Sequence, residues 1–69
     1  MPYEEAFATA LRVERARRNL SQAEVAEAVG ITPAAICRYE QGQRQPNVQT
    51  LARIADFFGV SMDRMMGRI

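Results

Sequence analysis

The sequence predicts an all-α fold built from five short helices. No segment of the 69 residues alternates apolar and polar side chains as a half-buried strand does. The chain also uses one device twice to end a helix and start the next, in the pieces VGIT (29–32) and FGVS (58–61). Glycine suits the left-handed end of a helix, and a serine or threonine hydroxyl caps the start of another.

The first helix is predicted from about Pro2 to Arg18. Proline suits an early helical position, acidic residues suit the first turn, and arginines suit the last one. The helix carries an apolar stripe at helical spacing, formed by Phe7, Ala8, Ala10 and Leu11.

The second helix has a well-defined start signal. Ser21 can cap it, and Glu24, three residues later, completes a capping box. Leu20 and Val25 stand where a hydrophobic staple would fix the entry of the chain. Gly30 is expected to end the helix in the left-handed conformation.

The third helix repeats this pattern of signals. Thr32 is its predicted cap and Pro33 its first residue. We expect it to end near Glu40 or Gln41, with Gly42 as the stop.

Two further helices complete the predicted chain. Pro46-Asn47 opens the fourth, and Gly59 ends it. Its predicted apolar face consists of Val48, Leu51, Ile54, Ala55 and Phe58. Val60-Ser61 starts a short fifth helix that carries Met62, Met65 and Met66.

Length and composition limit what the chain can do. Residues 1–69 are expected to form a single domain. The chain has no histidine and one cysteine, Cys37, so the usual catalytic bases, nucleophile pairs and metal ligands are missing. We therefore predict no enzyme activity, no metal, no cofactor and no small-molecule ligand. No apolar run is long enough to span a membrane, and no secretory signal is visible, so we expect a cytoplasmic protein.

The net charge of +1 does not by itself indicate nucleic-acid binding. All nine basic residues are arginines, and four of them (Arg12, Arg15, Arg17 and Arg18) lie within seven residues. Such a cluster is also typical of a solvated helix face, with some pairing to Glu14.

Gly30, Ile31 and Thr32 join the second and third helices in the manner of a helix-turn-helix. The segment from Leu20 to Met66 resembles the phage repressor and Cro (Xre) family. The landmarks are Leu20-Ser21-Gln22, Ala26, Gly30, Ile36, Tyr39-Glu40, Gly42, Pro46, Leu51, Ala55 and Gly59-Val60-Ser61. The resemblance implies a compact, lambda-repressor-like five-helix bundle whose third helix enters the major groove of DNA.

The resemblance also assigns roles to individual positions. The residues expected to face bases are Pro33, Ala34 and Arg38, with Cys37 on the same side. Those expected to contact the DNA backbone are Gln22, Gln41, Gln43 and Arg44. Arg15 and Glu40 are expected to form an ion pair between the first and third helices. Helical spacing supports the grouping of residues 33, 34, 37, 38 and 41 on one face.

Cys37 allows a second interpretation, as an oxidant sensor at the DNA surface. The alternative is a small side chain that faces the groove.

The resemblance implies a transcription regulator, with repressor as the main expectation. It would act as a homodimer on a near-palindromic operator in double-stranded DNA. The predicted dimer interface consists of Met62, Met65, Met66 and Ile69. The alternative is that Met62 and Met65 complete the core while Met66 and Ile69 fray. A different class of function, a protein-interaction module such as an antitoxin or coactivator-like adaptor, stays open.

Overall fold

The computed structural model describes residues 3–68, and side chains from residue 5 onward. Within these residues every regular element is a helix, which confirms the predicted all-α class. The helices are α1 (Tyr3–Arg17), α2 (Gln22–Val29), α3 (Pro33–Glu40), α4 (Val48–Phe58) and α5 (Met62–Met65). Pro2, the predicted start of the first helix, and Ile69 of the predicted dimer interface lie outside the described residues.

The capping signals read from the sequence form as predicted. At the start of α2, the Ser21 hydroxyl accepts a hydrogen bond from the Glu24 backbone at 3.0 Å, and Ser21 donates its backbone N–H to the Glu24 carboxylate at 2.8 Å. This reciprocal box lowers the pKa of Glu24, chiefly through the backbone hydrogen bond from Ser21. Gly30 ends α2 at φ 85°, and Gly59 ends α4 at φ 72°. Short-range chemistry therefore fixes where these helices begin and end.

The core is shared by all five helices. Helix α3 packs against α1 and α2, whereas α5 packs against α1 and α4. The Phe7 ring of α1 meets the Tyr39 ring of α3 edge-on, with centroids 5.8 Å apart. The largest fully buried side chains are Phe7, Leu11, Val25, Ile36, Ile54 and Met65. Helix α3 is thus seated on the core from two sides, which fixes its orientation.

One residue of the predicted apolar face of α4 does not reach the core. Val48 is 73% exposed, although it shares helical spacing with Leu51. It is the first residue of α4, and the buried part of the helix begins later, at Thr50 and Leu51. The N-terminal turn of α4 therefore projects beyond the core.

The prediction that Met65 lies in a dimer interface is wrong. Met65 is 0% exposed and belongs to the core, because α5 folds back between α1 and α4. Met62 and Met66 are half-buried and pack against the same core. No helix within residues 3–68 has the length and apolar character needed to cross a membrane.

Candidate nucleic-acid interface

The turn between α2 and α3 is built by three consecutive residues. Gly30 and Ile31 both donate their backbone N–H groups to the Ala26 carbonyl, at 2.8 and 2.9 Å. The left-handed φ of Gly30 allows this reversal, and a Cβ there would be strained in any packing. Thr32 then caps α3 by accepting the Ala35 N–H at 3.1 Å. The two helices are therefore joined as a helix-turn-helix with a fixed turn.

Helix α3 has two distinct faces. One face is buried in the protein and consists of Ala35, Ile36, Tyr39 and Glu40. The other carries the residues expected to face bases: Pro33, Ala34 and Arg38 are exposed, and Cys37 is half-buried. An α-helix with its side chains is about 10–12 Å across, which is similar to the width of the major groove. A helix of this kind therefore fits into the groove with its exposed face toward the base edges.

Arg38 is the long cationic side chain of this exposed face. It makes no hydrogen bond or ion pair with any residue of the described chain, and it is exposed. A free guanidinium can donate two parallel hydrogen bonds to guanine. The short side chains of Pro33 and Ala34 allow the helix backbone to approach the bases closely. Arg38 is thus available for base contact without breaking an internal bond.

A buried network ties α3 to α1 and α2. Arg15 donates through Nε and Nη2 to the two carboxylate oxygens of Glu40, at 2.6 and 3.0 Å. Gln22 donates through Nε2 to the same carboxylate at 3.1 Å. Arg15 also donates to the Leu20 carbonyl at 2.8 Å, just before α2 begins. The hydrogen bonds to Glu40 raise the pKa of Arg15.

This network has a consequence for Gln22. One N–H of its side-chain amide holds Glu40, so the orientation of the amide is set from within the protein. The second N–H of that amide has no acceptor among the described residues. A glutamine held in this way presents a neutral donor that suits a phosphate oxygen.

The end of α3 is held by a contact that the sequence analysis missed. Arg12 donates a hydrogen bond to the Glu40 carbonyl, and a second one to Thr9 Oγ1 at 3.3 Å. The orphan carbonyl at a helix end is a good acceptor for a cation. The only sequence signal was the three-residue spacing of Arg12 and Arg15, which places both on one side of α1.

The loop after α3 carries the remaining residues expected to contact the DNA backbone. Gln41, Gln43 and Arg44 are all exposed, and Gly42 adopts φ 72° between them. Gln41 Nε2 lies 3.4 Å from Cys37 Sγ, so these two side chains touch along the exposed side of α3. Arg44 forms no ion pair within residues 3–68 and remains available for a phosphate.

Comparison with known proteins agrees with this geometry. The helix-turn-helix family model HTH_3 matches residues 11–65. The chain belongs to the helix-turn-helix family. The match covers the second half of α1 and the whole of α2, α3, α4 and α5, and it confirms the Xre-type resemblance recognised in the sequence.

Individual relatives carry related descriptions. The chain is 32% identical over 60 residues to the cryptic phage CTXphi transcriptional repressor RstR of Vibrio cholerae, covering 87% of this chain and 54% of that protein. The clp gene regulator ClgR from Corynebacterium glutamicum superposes with a TM-score of 0.86 at 27% identity, covering 96% of this chain and 70% of that one. The chain spans about half the length of the curated relatives it matches.

The same fold also occurs as part of an enzyme. The hydroxypropylphosphonic acid epoxidase from S. wedmorenis superposes with a TM-score of 0.86 at 26% identity, covering 94% of this chain but only 35% of that chain. The likeness is therefore to one part of the epoxidase. Membership of the helix-turn-helix family supports the prediction that this domain is not an enzyme.

Proposed function

We propose that residues 1–69 form a single sequence-specific DNA-binding domain of a transcription regulator. In this proposal α3, about residues 33–41, lies in the major groove. The observation that carries the proposal is the division of α3 into a buried face and an exposed face with one unpaired arginine, Arg38. Family membership supports DNA binding, and the name of the V. cholerae relative supports repression. A regulator of this kind would act in the cytoplasm.

The proposed DNA contacts fall into two groups. Pro33, Ala34, Cys37 and Arg38 would face bases, with the first two making apolar contacts to thymine methyl groups. Gln22, Gln41, Gln43 and Arg44 would hold the backbone, mostly through neutral donors.

The proposed backbone contacts predict a shallow salt dependence. Each phosphate neutralised by a cation contributes about −0.9 to the slope of log affinity against log salt. Arg44 is the cation in the proposed backbone set. A dimer would therefore show a slope of about −2 from these contacts.

Substitution of Arg38 tests the proposed base contact most directly. Arg38→Lys keeps the charge but removes the planar fork, and Arg38→Ala removes both. The operator is first obtained by selection from random duplexes and located by footprinting. We expect both variants to lose about 1–3 kcal/mol of discrimination at one base position, the range for a bidentate contact. Arg68→Ala is the charge-matched control, because Arg68 is exposed and lies beyond α5.

The competing proposal is a protein-interaction module. It predicts that Arg38→Lys and Arg38→Ala bind all duplexes as the unmodified chain does. Equal binding of selected and scrambled duplexes by the unmodified chain would reject sequence-specific recognition outright.

We also propose that the regulator is a homodimer on a near-palindromic operator. With Met65 in the core, the members of the predicted interface that remain are the half-buried Met62 and Met66, together with Ile69, which lies outside the described residues. Met66→Glu should then weaken self-association, whereas Met65→Ala should lower stability by about 2–5 kcal/mol. Sedimentation at several concentrations, with and without operator DNA, measures the first effect. Only monomer under every condition would exclude the dimer.

A further inference from the structure

A second arginine cluster lies on the side of α1 that faces α5, around the buried carboxylate of Glu14. Arg18 Nη1 donates to Glu14 Oε1 at 2.8 Å and to the Glu14 carbonyl at 2.7 Å. Arg18 Nη2 donates to the Phe58 carbonyl at 2.7 Å, and its guanidinium lies 4.8 Å from the Phe58 ring centroid. Arg18 is therefore fixed between α1 and the end of α4 and has a structural role.

The other two arginines of the cluster are arranged differently. Arg17 Nη1 lies 3.8 Å and Arg64 Nε lies 3.5 Å from the second carboxylate oxygen of Glu14, and neither makes a hydrogen bond with the described chain. Their side chains are 61% and 53% exposed. Each guanidinium has five N–H donors, and most of these have no protein acceptor. The two guanidinium groups therefore share one carboxylate oxygen, and neither forms a hydrogen bond with it.

These side chains line an open pocket of about 470 Å³, whose remaining lining includes Arg18 and Val60. Three guanidinium groups around one carboxylate leave a net charge of +2. The carboxyl ends of α1 and α4 lie nearby and contribute about −0.5 each, so the pocket stays positive. None of its lining residues comes from α2 or α3.

We propose that this pocket binds a phosphate-type oxyanion, with Arg17 and Arg64 as its ligands. Guanidinium groups form short, paired hydrogen bonds with phosphate oxygens, and the anion relieves the repulsion between the two arginines. Val60 supplies an apolar wall beside the charged groups. The site is separate from the proposed DNA-reading face of α3. Its occupant is either a free phosphate compound or a phosphate of the DNA backbone.

The test titrates inorganic phosphate into the full chain at constant ionic strength, with chloride as the reference anion. The Nε–H signals of Arg17 and Arg64 in NMR spectra report the site directly, and the Nε–H signal of Arg18, which also lines the pocket, reports binding in the variant that lacks them. We expect saturable shifts of Arg17 and Arg64 in the millimolar range, with binding weakened at least fivefold in Arg17→Gln/Arg64→Gln. Arg53→Gln/Arg68→Gln removes the same two charges from exposed positions outside the pocket, and this variant should bind phosphate as the unmodified chain does.

Glu14→Gln separates a binding site from a purely structural cluster. Glutamine keeps an oxygen for Arg18 but removes the internal anion that competes for Arg17 and Arg64. We expect phosphate to bind about three- to tenfold more tightly. Identical shifts in chloride and phosphate would overturn the proposal. Equal losses in Arg53→Gln/Arg68→Gln and in Arg17→Gln/Arg64→Gln would also overturn it.

A second arm identifies the source of the anion. The salt dependence of binding to a duplex without an operator is compared between the unmodified chain and Arg17→Gln/Arg64→Gln. Each pocket holds one phosphate, so a slope reduced by about one per bound chain, or about two for a dimer, indicates that DNA phosphates occupy the pocket. An unchanged slope, with inorganic phosphate still bound, indicates a free phosphate compound.

Discussion

The link between Arg15 and Glu40 can be measured by replacing each partner in turn. Three hydrogen bonds reach the Glu40 carboxylate, whose side chain is 6% exposed, while that of Arg15 is 23% exposed. Breaking a fully buried pair costs about 3–5 kcal/mol. Nearly a quarter of the Arg15 side chain is exposed to water, and glutamine retains one acceptor. We therefore expect Glu40→Gln to lower the free energy of unfolding by about 2 kcal/mol. In a domain of this size that lowers the unfolding midpoint by about 8–16 °C.

The assay is a double-mutant cycle by denaturant unfolding, using Arg15→Met, Glu40→Gln and both together. We expect a coupling free energy of about 1–2 kcal/mol, because each variant removes the partner of the other. The exposed pair of Arg68 and Asp63, 4.0 Å apart, is the matched control and should couple by less than about 0.5 kcal/mol. A coupling for Arg15 and Glu40 as small as that of the control would refute the reasoning.

The same variants link the fold to DNA binding. Glu40 orients Gln22 as well as α3, so Glu40→Gln should weaken operator binding even at temperatures where the domain is fully folded. Unchanged operator affinity in folded Glu40→Gln would mean that the network stabilises the bundle without positioning the residues proposed to contact DNA.

Two further predictions concern other parts of the molecule. The hydrogen bond from Arg18 is the main cause of the lowered pKa of Glu14. The ionised Glu14 therefore stabilises the folded domain fully above the ordinary pKa of about 4.3, and this stabilisation is lost as pH falls through the lowered pKa. Thermal midpoints measured from neutral pH to about pH 3 should therefore fall more steeply for the unmodified chain than for Glu14→Gln, and parallel curves would contradict this. Gly67→Ala should destabilise the domain by about 1–3 kcal/mol more than Gly59→Ala in denaturant unfolding. Both glycines have a left-handed φ, near 72–74°, but a Cβ on Gly67 would lie 2.8 Å from Ala6 Cβ, whereas a Cβ on Gly59 would meet open space. Equal losses of unfolding free energy would show that only the backbone strain of the left-handed φ matters.

Local signals made the helix boundaries predictable from the sequence. Ser21, Thr32 and Ser61 each cap a helix, and Gly30 and Gly59 each end one, as their positions indicated. These interactions join residues at most four positions apart, so their geometry follows from the backbone alone. The two faces of α3 were predictable for the same reason, since helical spacing separates Ile36 and Tyr39 from Arg38.

Tertiary packing decides what the sequence left open. The spacing of Met62, Met65 and Met66 is compatible with either a core or an interface, and the position of α5 against α1 and α4 puts Met65 inside. Val48 fits the apolar stripe of α4, but the helix leaves the core at its first turn. Neither outcome follows from residues close in sequence.

The arginine cluster of residues 12–18 explains how a chain of net charge +1 keeps an unpaired cationic side chain on the exposed face of α3. Arg12 and Arg15 are used on Glu40, whose carboxylate and carbonyl anchor α3. Arg18 is used on Glu14 and on the end of α4. The buried carboxylates of Glu40 and Glu14 therefore neutralise arginines that hold the helices together. The Arg38 side chain, in contrast, is exposed and forms no ion pair within residues 3–68. A substitution that frees Arg12 or Arg15 would add a cation near α3 while loosening the packing of that helix, so affinity for duplexes without an operator would rise as discrimination falls.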